Sequence, residues 1–192
     1  MLTDRALRKL TLFAALAAAF DQLHPLGDHW AQGSRDAKCK ELHGTYLVYE
    51  DGTPVAEAPV ERAGEPTWTA SQLGRLCALR HVASYSAVQL SGTVALTRVL
   101  GYRIPAGALL AGAAVNASTH LVIDRRRSLM YLAKLAGKRG YIDRCHAVRL
   151  TDDGPRWELS GPGSALMELD AALHRAIGLG AAALTAWLAV RE

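Results

Sequence analysis

The chain has 192 residues, enough for one domain and marginal for two. Half of the residues are hydrophobic but only 6% are aromatic, and Ala, Leu and Val supply most of the apolar content, which favours helices over sheets. The net charge of +4 is too small to indicate a nucleic-acid-binding protein, and three cysteines without regular spacing do not fit a disulfide framework, so free thiols in a reducing compartment are expected.

Long apolar stretches alternate with polar ones along the chain. The first, residues 10–26, follows a basic segment with Arg5, Arg8 and Lys9, as in a signal peptide. No small-residue cleavage site follows it, so this stretch is predicted to be a retained helix. Residues 33–69 come next and are polar.

The polar segment contains a hairpin signal. Residues 45–49 and 55–58 are β-prone and flank a turn that contains Asp51-Gly52. A second helix is predicted to begin after a capping Thr69 or Ser71 and to continue to about residue 100.

Three further elements are predicted in the second half of the chain. A third helix spans residues 105–124, with Pro105 at its favoured first position. Residues 128–136 form a short amphipathic helix that we expect at a membrane surface. A second hairpin, 145–150 with 156–159, then precedes a last helix over 164–190.

The predicted fold is mainly α: a four-helix transmembrane bundle in a single membrane domain, 1–192, with two small β-hairpin inserts on the cytoplasmic side. Four helices of this length could also form a soluble bundle, because polar side chains interrupt the second helix. Most Lys and Arg residues lie in the loops 33–69 and 125–163, so the positive-inside rule places both loops in the cytoplasm of a multi-pass cell-membrane protein. The basic N-terminal residues oppose this orientation.

Three His/Asp pairs share a spacing of four residues, which puts both members on one face of a helix: His24 with Asp28, His120 with Asp124, and Asp170 with His174. His81 lies near the start of the second helix. In an up-down bundle all of these positions fall at the same end. A single such pair is often only a surface ion pair, but ionisable groups in membrane helices are costly and usually mark function.

The pattern therefore predicts a metal site inside the bundle, built from paired ligands on facing helices. The candidate ligands are His24, Asp28, His81, His120, Asp124, Asp170 and His174. Seven candidates exceed the needs of one tetrahedral ion, so one or two ions are expected. Mixed His and carboxylate ligands favour Zn²⁺, with Mn²⁺ or Fe as alternatives.

The same residues carry a resemblance to a known family. The string from His24 through Asp28 to Gln32, with Lys38 after it, resembles the opening motif of an uncharacterised family of bacterial and phage membrane proteins (domain of unknown function 3307). His81, the His-x-x-x-Asp at residues 120–124 and the Asp-x-x-x-His at residues 170–174 follow in the family's order. The pattern is also similar to that of membrane-embedded metal-dependent hydrolases, and this resemblance implies a metal-dependent activity at a membrane.

The leading functional hypothesis is a metal-dependent hydrolase at the cytoplasmic membrane face. Asp28 or Asp170 would act as the general base, and the substrate would be a phospholipid or another molecule at headgroup level, drawn by the basic residues 125–127. One alternative is a non-enzymatic membrane module with a structural metal, whose hairpins bind a partner. A metal or proton transporter is the other, although the first and fourth helices lack polar residues beyond the site.

Overall fold

Four long helices account for most of the structure, a computed structural model that describes residues 3–191. Within that range the chain forms seven α-helices: α1 (Asp4–Pro25), α2 (Ser34–Cys39), α3 (Ala70–Val99), α4 (Ala106–Asp124), α5 (Arg127–Leu135), α6 (Arg139–Arg144) and α7 (Ala165–Ala189). Four short strands form two antiparallel pairs: β1 (Leu47–Tyr49) with β2 (Thr67–Thr69), and β3 (Ala147–Thr151) with β4 (Gly154–Glu158). The mainly helical class with two small β inserts is therefore confirmed.

The ends of the long helices are set by local capping. Thr69 accepts a hydrogen bond from the backbone of Gln72, whose side chain bonds back to the cap, so α3 begins with a capping box. Ser164 caps α7 through the backbone N–H of Met167. Pro105 lies at the N-cap of α4, one position before its predicted place in the first turn.

The four long helices pack as a closed ring in which α1 contacts α3, α3 contacts α4, α4 contacts α7 and α7 contacts α1. At one end of this bundle, an apolar cluster fills the space between α1 and α7. Its buried members are Leu12, Leu16, Phe20, Ala181, Ala182 and Ala186. The predicted His/Asp residues lie at the opposite end, the polar half of the bundle. The apolar half also buries the side chains of Thr93, Thr97 and Thr185 between its helices.

Two of these helices, α4 and α7, are long and apolar enough to cross a membrane. Among residues 3–191, α1 and α3 do not pass the same criterion, so the predicted set of four spans is met only in part. The reason lies in their composition, because α1 starts with a charged turn and α3 carries Ser, Thr and Gln along much of its length.

Only the first strand of the first predicted hairpin forms as expected. Residues 47–49 form β1 as expected, but β1 pairs with β2, next to α3, rather than with residues 55–58. The tight turn after Tyr49 does form, and Asp51 bonds the backbone of Thr53. Pro54 and Pro59 bracket the expected second strand and lack backbone N–H donors, and Val55–Glu57 is a 3-10 turn.

The second hairpin is confirmed, with a tighter turn than predicted. Thr151 pairs with Gly154, which leaves only Asp152 and Asp153 in the loop. The amphipathic segment forms α5, and the short helix α6, which the sequence did not indicate, follows it.

Both polar inserts lie at the same end of the bundle as the His/Asp residues. The first packs on the start of α3 through a small core that includes Val48, Leu73 and the free, buried thiols of Cys39 and Cys77. The second packs on the end of α4 and the start of α7 through a core of Ile123, Leu129, Ala133, Ile142, Ala165 and Leu166. The inserts therefore enclose the polar end of the bundle.

Candidate metal centre

The approach of Asp28 to the bundle axis depends on an irregular end of α1. The helix widens into one π-helical turn, Leu26–Trp30, directly after Pro25, and the N–H of Ala31 donates to the carbonyl of Leu26. Gly27 is buried within this turn, and a Cβ atom built there would lie 2.6 Å from the Tyr85 ring. Only glycine therefore allows the turn to come close enough to α3 for Asp28 to enter the bundle.

Four side-chain atoms from three segments, the π-helical turn, α3 and α4, meet at one point. The Nε2 atom of His81 lies 2.9 Å from Nε2 of His120, 3.0 Å from Oδ1 of Asp28 and 3.0 Å from Oδ2 of Asp124. The Nε2 atom of His120 lies 3.3 Å from each of the same two oxygens. These four atoms are the closest packed group of ligand atoms in the polar half of the bundle among the contacts described.

Hydrogen bonds alone cannot satisfy this group. Each Nε2 atom carries at most one hydrogen, yet each faces three other polar atoms, and the carboxylate oxygens are acceptors only. The separations between each imidazole nitrogen and its neighbours are close to the roughly 3.3 Å between adjacent ligand atoms of a zinc ion with bonds of about 2.0–2.1 Å. The buried His/Asp group could therefore hold a metal ion.

Gln32 and Lys40 surround this group on the side of the first insert. The side-chain amide of Gln32 has one orientation in which both its nitrogen and its oxygen make hydrogen bonds. In that orientation the nitrogen donates to the backbone carbonyl of Asp28 at 2.9 Å and the oxygen accepts from Nδ1 of His81 at 3.2 Å. With a metal bound, this acceptor would hold the proton of His81 on Nδ1 and leave the lone pair of Nε2 for the ion. Lys40 donates to Oδ2 of Asp124 at 2.9 Å.

A second set of ligand atoms adjoins the first. Nε2 of His24 lies 3.5 Å from Oδ2 of Asp28, and Nε2 of His174 lies 3.6 Å from Oδ1 of Asp124. Neither nitrogen has a hydrogen-bond partner. Asp170 lies beside Nδ1 of His174, with its carboxylate at 3.4 Å and its backbone carbonyl at 3.0 Å. All seven predicted side chains are thus brought together.

An aromatic and amide layer closes the centre toward the apolar half of the bundle. The Tyr85 ring stacks at 4.1 Å, between centroids, on the His120 ring. The Tyr85 hydroxyl accepts hydrogen bonds from Gln89 and Asn116. Tyr85 and Gln89 lie four and eight residues after His81, on the same face of α3. Asn116 was not predicted, although its position four residues before His120 was a usable signal.

The charges of the centre stabilise its carboxylates. Burial alone would raise the pKa of the Asp28 carboxyl, but hydrogen bonds from His120 and His81 outweigh it and hold that pKa well below its ordinary value. Glu41, at the edge of the centre, behaves differently, because burial raises the pKa of its carboxyl despite the nearby Arg126 guanidinium. Asp28 is therefore ionised and available as a ligand at neutral pH.

Two cavities reach the centre from opposite sides. One, of about 150 Å³, opens between the two inserts and is lined by Lys40, Arg126 and the carboxylates Asp28, Asp124 and Asp170. The other, of about 310 Å³, lies between α1 and α7, has mostly apolar walls, and ends at His24, Tyr85 and His174. The centre is therefore accessible from a polar side and from an apolar side.

Several basic and loop residues have other roles than the sequence suggested. Lys40, not Lys38, contacts the centre, and nothing in the spacing of the two lysines distinguished them. Arg125 bonds the backbone carbonyls of Lys40 and Leu42, so it anchors the first insert instead of facing a ligand. His43 bonds the backbone carbonyl of Arg125 and is partly buried, so it also helps to hold the first insert on α4.

Gly27→Ala is expected to lower metal affinity about tenfold without removing a ligand, because the added Cβ pushes the π-helical turn and Asp28 away from His81. Metal titration of the purified protein measures this. Gly33→Ala is the matched control, because its Cβ meets only Asp36 at an ordinary 3.9 Å. Equal affinities in the two variants would contradict the proposed role of Gly27.

Comparison of the chain with protein-family models, curated proteins and solved structures gave no match. Inference about its function therefore depends on the geometry of the centre and on the properties of the helices that carry it.

Proposed function

We propose that this chain is an integral membrane protein that binds a divalent metal between its helices and acts as a metal-dependent hydrolase on a phospholipid or another membrane-level substrate. The observation that carries the proposal is the group of four atoms from Asp28, His81, His120 and Asp124, all within 3.3 Å of the two imidazole nitrogens. Two carboxylates and two imidazoles packed this closely are the ligand types that divalent metal sites contain.

The surfaces of α4 and α7 support the membrane location. Only 28% of the apolar window of α4 and 33% of that of α7 is buried inside the bundle, whereas a core helix of a soluble protein is mostly buried. Large apolar side chains point outward along both helices, among them Leu110, Val122, Leu179 and Trp187. Lipid around these helices would cover this surface. In the proposed protein α1 and α3 complete the bundle as the two less apolar spans.

The concentration of basic residues in the two inserts supports a cytoplasmic location for the polar end. A cysteine at Asp153, in the exposed turn between β3 and β4, is a suitable reporter in a Cys145→Ser background, because Cys39 and Cys77 are buried. We expect a membrane-impermeant maleimide to label it only after the cells are permeabilised. Labelling in intact cells would reverse the orientation.

The polar cavity provides the groups that hydrolysis needs. A divalent cation held at the centre would supply Lewis acidity toward a phosphoryl or acyl oxygen and would lower the pKa of water. Lys40 and Arg126 line the cavity and attract an anionic headgroup, although Arg126 also pairs with Glu41 at 2.7 Å. The Asp170 side chain is 31% exposed, so it can take a proton from a water molecule that enters the cavity.

Zinc is the proposed ion. Two imidazoles with two carboxylates are ligands that suit Zn²⁺. Mn²⁺ and Fe remain alternatives with the same donor types.

The second candidate function is a membrane module in which the metal is structural. Its support is that the candidate ligands come from α3, α4, α7 and the end of α1, so one bound ion would cross-link the whole bundle. A transporter is less well supported. The apolar cluster that includes Leu12, Leu16 and Phe20 closes the space between α1 and α7 beyond the centre. Buried polar side chains continue along α3 as Gln89, Thr93 and Thr97, but among the described residues none of the buried side chains beyond the centre carries a charge.

A hydrolysis assay separates the two candidates. We expect the zinc-loaded protein, reconstituted in vesicles of anionic phospholipid, to release cleaved lipid that mass spectrometry detects. Asp170→Asn should reduce the rate about 100-fold, because general-base catalysis contributes at least that factor, while most of the metal stays bound.

Absence of cleavage by fully loaded protein would contradict the hydrolase and favour the structural module. In that case removal of the metal by a chelator should still lower the Tm, because an ion bound only by the folded state stabilises it.

A further inference from the structure

The carboxylates of Asp28 and Asp124 each face two different groups of ligand atoms. Oδ1 of Asp28 and Oδ2 of Asp124 belong to the central group with His81 and His120. Their other oxygens face outward from it: Oδ2 of Asp28 lies 3.5 Å from His24, and Oδ1 of Asp124 lies 3.6 Å from His174. Each carboxylate therefore has one oxygen in the central group and the other oxygen beside a different histidine.

The nitrogens at the second position are oriented as ligands. Nδ1 of His174 faces the backbone carbonyl of Asp170 at 3.0 Å, which can only accept, so Nδ1 carries the proton and Nε2 of the neutral ring has a free lone pair. That Nε2 atom has no hydrogen-bond partner, although the His174 side chain is only 1% exposed. Nε2 of His24 also has no partner, and its side chain is 12% exposed.

A buried imidazole nitrogen without a partner loses its bonds to water, which is unfavourable. Two such nitrogens, each beside a carboxylate oxygen that faces away from the central group, are explained by a cation that they bind.

We propose that the centre holds two divalent metal ions, bridged by the carboxylates of Asp28 and Asp124. His81 and His120 complete the first position, and His24 and His174 complete the second. The backbone carbonyl of Asp170 orients the His174 ring, as carbonyls bonded to the second nitrogen of metal-binding histidines commonly do, and the Asp170 carboxylate stays available as the proposed general base. Metal pairs in hydrolytic enzymes lie about 3.5–4 Å apart, a separation that a bridging carboxylate spans.

The two positions differ in their access. Gln32 and Lys40 cover the first position, on the side of the first insert. The second position faces the largely apolar cavity between α1 and α7, whose inner end is formed by His24 and His174. The second position is therefore open to the lipid side, whereas the polar cavity leads to the carboxylates of Asp28, Asp124 and Asp170.

This inference rests on the metal-binding part of the proposed function, and Mn²⁺ alone tests it. The purified protein is stripped of metal, loaded with Mn²⁺ and freed of excess ion, and its metal content is measured by mass spectrometry. We expect two ions per chain, and one per chain in the double variant His24→Gln/His174→Gln. His146→Ala, which changes an exposed loop histidine, should retain two.

Electron paramagnetic resonance of the wild-type protein supplies a readout that does not depend on a variant's folding. A bridged pair of Mn²⁺ ions gives a spin-coupled signal, and the double variant should give the signal of isolated Mn²⁺. One ion per chain in the wild-type protein, or an uncoupled signal at two ions per chain, would overturn the bridged pair.

The outcome is separable from the hydrolase proposal. One bound ion with lipid cleavage would remove the second position and leave the hydrolase standing. Two coupled ions without cleavage would establish the pair and remove the hydrolase.

Discussion

His120→Ala is expected to lower the metal affinity of the protein by more than about 100-fold, since removal of an outer partner of a metal ligand already costs 10–100-fold. His120 is fully buried, its Nε2 atom lies in the central group, and its ring stacks between Tyr85 and His174 at centroid distances of 4.1 and 4.2 Å. No neighbouring side chain can replace its nitrogen without a shift of α4. Metal content after dialysis against a weak chelator measures the effect.

His146→Ala is the matched control, because His146 is an exposed histidine in the second insert. His43→Ala is a poorer control than its loop position suggests, since His43 bonds both the backbone and the guanidinium of Arg125. Circular dichroism should show that the His120 variant keeps its helices. Full metal occupancy in a folded His120→Ala protein would contradict the assignment of the centre.

Gly112→Ala is expected to destabilise the bundle by about 1–3 kcal/mol, the usual cost of overpacking. Gly112 is buried on α4 where it meets α7, and a Cβ there would lie 1.9 Å from Oγ1 of Thr185 and 3.0 Å from the carbonyl of Ala181. Thr185 is itself fixed by its bond to that carbonyl. Close approach at small residues is how helices pack in lipid, so separation of α4 from α7 should lower the Tm in detergent.

Gly107→Ala provides the comparison within the same helix. A Cβ at Gly107 meets no atom within 4 Å, and alanine is the better helix former by up to about 1 kcal/mol. The Gly107 variant should therefore match or exceed the wild-type Tm while the Gly112 variant falls below it. A Gly112→Ala protein as stable as Gly107→Ala would show that α4 and α7 do not pack this closely.

Comparison of the Gly112→Ala and His120→Ala variants also separates effects on stability from effects on metal binding. Gly112 lies two helical turns from His120, so its substitution should lower the Tm of both metal-free and metal-loaded protein by a similar amount. His120→Ala should lower mainly the extra stability that the ion provides.

Local signals in the sequence were sufficient for the four long helices, although not for the short helices α2 and α6. Thr69 with Gln72 marks the start of α3, Pro105 the start of α4 and Ser164 the start of α7, because capping depends on residues only three positions apart. The His/Asp pairs were equally local. A spacing of four residues places both side chains on one helix face, and the up-down order of the helices then brings the pairs to the same end.

The details of the centre depend on contacts between distant segments. Lys40 reaches Asp124 because Arg125 anchors the carbonyls of the first insert, a contact across more than 80 residues of chain. Likewise, β1 pairs with β2, which directly precedes α3, and not with the residues that follow the nearby turn. Spacing along the chain carries no information about such contacts.

The sequence by itself determined which residue types gather at the polar end of the bundle, because helical periodicity and chain order are local properties. Only the tertiary structure decided how they share the space. The π-helical turn at Leu26–Trp30 rotates Asp28 inward past Gly27, and the crossing of α3 and α4 sets His81 against His120. The division of each carboxylate between two groups of nitrogens follows from side-chain positions on different helices, which packing alone determines.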